Sequence, residues 1–90
     1  MTELDGLWKV KRVSGLLPPM VGVRKRISGG RGETLVGPIP IPFRVDGLAI
    51  RYRQPLGALV DLLEPDGEGF RGRATAFGRE YGRFTLRRLS

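Results

Sequence analysis

Apolar and polar residues alternate along most of this chain with a period of two. That is the spacing of strands with one face in a core, not of helices. Val23 and Ile27 share a face while Arg24 and Arg26 take the other, and Leu48, Ile50 and Tyr52 alternate with Ala49, Arg51 and Arg53. The blocks predict eight short strands, over residues 7–13, 22–28, 33–37, 41–45, 48–53, 58–63, 70–77 and 80–89. Only 58–64 is ambiguous, because its apolar run fits a strand or a helix.

Turn signals separate the blocks. Gly29-Gly30-Arg31-Gly32 reads as a hairpin tip. Asp46-Gly47 reads as a two-residue type I′ turn, and Pro65-Asp66-Gly67 as a turn with proline at its second position. Gln54 to Gly57 and Gly78-Arg79 turn the chain again, and Pro38, Pro40 and Pro42 punctuate the link between the third and fourth strands. Sequential strands joined by short hairpins make a meander, and closing the meander removes its aggregation-prone edges. The predicted fold is therefore all-β: a small closed up-and-down antiparallel barrel in one domain over residues 1–90.

The parity of the strands places Trp8, Val10, Val23, Ile27, Phe43, Val45, Leu48, Ile50, Tyr52, Phe70, Phe84 and Leu86 inside. In the seventh strand, Phe70 shares its face with Gly72, Ala74 and Ala76. Small inward residues leave room for a bulky neighbour, Trp8 or Phe84, or for a ligand.

Composition narrows the chemistry. With no cysteine there is no disulfide or thiolate metal site, and with no histidine the commonest general base and metal ligand is missing. No metal, cofactor or catalytic residue is implied. Gly29–Gly32 lacks the Lys-Ser/Thr and the helix of a phosphate-binding loop. Asp61 and Glu64 form no recognisable catalytic pair, and a buried ion pair of Asp61 with Arg53 or Arg73 is the expected arrangement. Glu80 and Tyr81 are expected at the surface or in a turn. The net charge is +7, with 13 arginines spread at strand spacing along the chain, as solvent faces of strands would carry them. No apolar run approaches the ~20 residues of a membrane-spanning helix. The opening MTELDGLW does not read as a signal peptide, so the expected location is cytoplasmic.

Gly6-Leu7-Trp8 on the first strand is a Gly-x-Trp pattern, and the last strand ends Phe84-Thr85-Leu86-Arg87-Arg88. In this the chain resembles the lipocalins and the wider calycin group. The resemblance implies a barrel whose first-strand Trp8 is covered by a late basic residue. Arg88 shares the inward parity of Phe84 and Leu86, and Arg87 would serve if a bulge shifts the register. It also implies that the first connection, residues 14–21, folds over the mouth. That loop is unusually apolar, with Leu16, Leu17, Met20 and Val21 around Pro18-Pro19. It would be a lid over a ligand pocket, a plug completing the core, or a dimer contact.

Three functions follow as expectations. The first is binding of a small apolar or weakly acidic ligand inside the barrel, with Leu16, Leu17, Met20, Tyr52, Ala74 and Phe84 as candidate contacts and Trp8 and Arg88 as the closure. The second is nucleic-acid binding through Arg51, Tyr52, Arg53, Arg71, Arg73 and Phe77. The third is a structural module, stabilised as a homodimer, with a filled core.

Overall fold

A computed structural model describes residues 4–17 and 20–89. Eight strands follow one another: β1 (Gly6–Gly15), β2 (Arg24–Ser28), β3 (Arg31–Val36), β4 (Ile39–Asp46), β5 (Ala49–Tyr52), β6 (Leu59–Asp66), β7 (Gly69–Ala76) and β8 (Arg79–Arg88). Each pairs antiparallel with the next, and β8 pairs with β1, so the sheet closes into an up-and-down barrel. No helix among the described residues is long and apolar enough to cross a membrane. Alternating connections put Leu4, Leu89 and the β2–β3, β4–β5 and β6–β7 turns at one end. The other four connections surround the opposite end, here called the mouth.

The hairpins tighten around their glycines, one residue away from where the dipeptide signals point. Asp46 pairs with Ala49, so the β4–β5 turn is Gly47-Leu48 rather than Asp46-Gly47. Gly47 has a φ of 61°, as the first central position of a type II′ turn requires. This corrects the placement of Leu48, which is a turn residue 43% exposed and not part of the interior. By the same shift Pro65 and Asp66 end β6, and Gly67-Glu68 makes the turn.

Three prolines lie inside strands, and short β5 explains all three. The β5 ladder covers β4 only from Phe43 to Asp46, and β6 only from Val60 to Leu62. The Pro42 carbonyl accepts from Arg53 N, so the backbone of Pro42 faces the β5 side beyond the last pair. Pro40 shares that parity, and Pro65 lies beyond the opposite end of β5. None of the three is asked for a ladder N–H it lacks.

The closed end is filled with side chains. Trp8 is fully buried and meets Phe70 edge-to-face at 5.4 Å. Its indole N–H donates to the Leu4 carbonyl at 2.8 Å. The Arg88 guanidinium lies 4.3 Å from the centre of the Trp8 ring and donates to the Asp5 carbonyl at 2.8 Å. Higher up, a Cβ on Gly72 would collide with the Phe84 ring, so Phe84 fills the space that Gly72 leaves. Ile27, Phe43, Ile50 and Leu86 complete this packing. Val45 and Tyr52, expected inside, are half-buried against it.

Candidate functional site

Above the packed end, the barrel keeps an apolar cavity of about 340 Å³ that opens at the mouth. Val10, Val23, Ala74 and Phe84 line its walls, and Leu17, Met20, Leu56, Leu59 and Tyr81 surround its entrance. Ala74 therefore faces open space, whereas Gly72, two residues before it on the same face, does not.

A polar cluster lies against this apolar space. Lys25 stands between Val23 and Ile27 on the inner face of β2 and is only 3% exposed. Asp61, 5% exposed on β6, brings Oδ2 to 3.3 Å from Lys25 Nζ. The ammonium donates to Thr34 Oγ1 on β3 and to the Tyr52 hydroxyl on β5, both at 2.7 Å. Its three donors are thus committed. The Tyr52 hydroxyl lies 2.8 Å from Thr34 Oγ1 and 3.4 Å from Asp61 Oδ2. The rings of Phe43, Tyr52 and Phe84 surround the ammonium at 5.3–5.7 Å, which gives it cation–π contacts in place of water.

Asp61 spends Oδ2 on both Lys25 and Tyr52. Among the described residues no bond goes to Oδ1, yet no buried side-chain oxygen lacks a partner, so Oδ1 opens onto the cavity that Asp61 lines. Burial raises the Asp61 pKa above its ordinary 3.8, against the lowering effect of the Lys25 charge and of hydrogen bonds from Lys25 and Tyr52. Tyr81 is raised as well, first by burial and then by the nearby Asp61 carboxylate.

Two bulges shape the mouth. In β8, Thr75 faces Glu80 and Ala74 faces Gly82, which leaves Tyr81 as the extra residue. The bulge turns Tyr81 toward the cavity, so it is a half-buried lining residue and not simply a surface or turn residue as expected. Glu80 stays outside and pairs with Arg83 at 3.0 Å. In β1 the register shifts between Arg12 and Ser14. Arg12 then clasps the following loop, donating to the carbonyls of Gly15 at 2.7 Å and Leu17 at 2.8 Å.

Of the residues grouped as ligand contacts, Leu17, Met20, Tyr52, Ala74 and Phe84 line one cavity. Leu16 does not: it is 87% exposed. Leu17 seats on Gly82, which has no Cβ to block it, and this turns the neighbouring Leu16 outward. Pro18 and Pro19 lie outside the described residues. Asp61 does form a buried ion pair, but with Lys25 instead of Arg53 or Arg73. Those arginines sit at outward positions, and only Lys25 has inward parity. Glu64 faces outward and pairs with Arg71. The basic–aromatic set does not gather on one face, because the alternation that turns Arg51 and Arg53 out turns Tyr52 in. Parity reading overlooked Lys25 and Thr34. The signal for Lys25 was present, since it falls between Val23 and Ile27.

No family model, curated protein or solved structure is matched significantly by the chain.

Proposed function

We propose that this barrel binds a small amphipathic molecule, with its apolar body in the cavity and a hydrogen-bond-donating head against Asp61. The observation that carries this reading is Asp61 Oδ1, left without a protein partner among the described residues in the wall of a mostly apolar cavity. Small-molecule sites combine these features: mostly apolar walls, a few convergent polar groups, and a volume of about 300–1,000 Å³. Lys25 has no proton to spare, so the group offered to a ligand is an acceptor. Lys25 and Asp61 together carry no net charge, which favours a neutral or weakly acidic O–H over an ion. Support for a lipocalin-like relationship comes from Gly6 and Trp8 together with Arg88 stacked on the indole.

The test compares octan-1-ol with heptyl methyl ether by calorimetric titration. The two have the same heavy atoms, but only the alcohol donates. The alcohol is expected to bind at least tenfold more tightly, because a site built around a hydrogen bond discriminates against a partner lacking it. Ala74→Phe, which fills the cavity, is expected to abolish binding. Equal affinities for the two probes, or binding that survives Ala74→Phe, would overturn the reading.

A further inference from the structure

Exposed apolar side chains are not spread evenly over the barrel. Leu16, Val21, Val36, Ile39, Leu56 and Phe77 all belong to the four connections around the mouth or to the strand ends beside them. At the closed end, the large exposed hydrophobics among the described residues are Leu48 and Leu89. Val21 is 93% exposed and Phe77 87%, so these side chains do little for the core.

Phe77 is also held in an unusual conformation. Its φ is 52°, and it occupies the first central position of a hairpin turn whose second is Gly78. Asn or Asp adopts that left-handed conformation more readily, and a bulky residue there marks strain of the kind kept for function. Here it presents an aromatic ring at the tip of the mouth.

Carboxylates follow the same axis, whereas arginines stand at both ends, with Arg31, Arg44, Arg71, Arg87 and Arg88 offsetting the acids of the closed one. Asp5, Asp46, Glu64, Asp66 and Glu68 cluster at the closed end, and Glu33 pairs with Arg26 on the wall. Among the described residues, Glu80 is the one carboxylate outside the cavity at the mouth, and Arg83 neutralises it. Arg24 and Arg79 begin strands there, and Arg12 clasps the mouth loop.

We infer that the mouth docks on the surface of an anionic phospholipid bilayer. Leu16, Val21, Ile39 and Phe77 enter the interfacial layer, and the arginines face the headgroups. Apolar residues ringed by cations are the composition of such interfacial anchors. Each basic residue near an anionic leaflet strengthens partition about fivefold. A second copy of the chain fits less well, since two mouths face to face would oppose like charges. Docked this way, the cavity opens toward the lipid.

Vesicle flotation tests the inference. Wild-type protein is expected to float with vesicles of phosphatidylcholine and phosphatidylglycerol, and at least tenfold less with phosphatidylcholine alone. Leu16→Asp combined with Val21→Asp is expected to cut binding at least tenfold with an unchanged circular-dichroism melt. Leu48→Asp, at the closed end, is expected to leave binding intact. A Phe77→Trp probe is expected to shift to the blue on anionic vesicles, while the buried Trp8 in the parent does not. The inference is overturned if no vesicle is bound, or if Leu48→Asp weakens binding as much as the mouth pair. A dimer seen by light scattering and broken by the mouth pair, with no vesicle binding, would replace the bilayer with a second copy. None of these readouts involves the cavity ligand.

Discussion

The two ends of this barrel solve the same packing problem in different ways. At the closed end every inward position finds a protein neighbour. Trp8 has Phe70 and Arg88 around its ring and Leu4 on its N–H, and Gly72 has the Phe84 ring. Toward the mouth small or polar residues, Ala74, Thr34, Lys25 and Asp61, stand among Val10, Val23 and Phe84, and the space they line stays open. A chain this short has little core to spare, so an unfilled cavity and a desolvated ion pair weigh against its stability. The contrast separates a stabilising end from an end that gives up stability to keep a chemically distinct space.

The largest effect is expected from emptying the closed end. Trp8→Ala removes the central side chain of that packing and should cost about 3–5 kcal/mol in urea-induced unfolding, enough to leave much of the chain unfolded. A loss under 1 kcal/mol would mean that the two ends do not differ as described.

Next comes the ion pair at the mouth side. Lys25→Met leaves Asp61 buried without its countercharge and should cost about 3 kcal/mol at pH 7.5. The sign with pH follows from the raised Asp61 pKa. A carboxyl with a higher pKa folded than unfolded binds more protons in the native state, so stability falls as pH rises between the two values. Without Lys25 the folded value rises further. The deficit of Lys25→Met should therefore shrink as pH drops from 7.5 toward 4.5, read as converging urea midpoints of variant and parent. Adding Asp61→Leu should recover most of the loss at pH 7.5, since an apolar pair can replace a buried ionic one.

The smallest and sharpest test uses two neighbours on one strand face. Gly72→Ala drives a methyl into the Phe84 ring and should cost about 2 kcal/mol, whereas Ala74→Val adds volume to open space and should change stability by less than about 1 kcal/mol. If both cost the same, the cavity beside Ala74 closes in solution.

Reading the chain went further for the fold than for the site. Period-two alternation and glycine turns led to eight strands and to a closed meander, because both signals are local. The turn dipeptides misled by one residue at Asp46-Gly47. Only the cross-strand register decides which two residues lie outside the ladder, and that shift carried Leu48 from the interior to the turn. Asp61 was legible as a buried charge, but its partner was not. Arg53 and Arg73 are as close to it in composition as Lys25, and only barrel closure brings β2, β3, β5 and β6 around one point.

The alternation of side chains by itself determined the strand content, the small inward residues of β7, and the inward parity of Trp8 and Arg88. These are consequences of backbone geometry within a strand or a single hairpin. The tertiary structure decided what the inward residues do with one another. It placed Phe84 in the space of Gly72 and left the space of Ala74 open. It committed all three protons of Lys25 and one oxygen of Asp61, and it turned the other oxygen toward the cavity. It also gathered the exposed apolar residues of four separate connections at one end. Those outcomes depend on how a curved sheet closes, which sets distances between residues far apart in the chain and is not encoded in any local pattern.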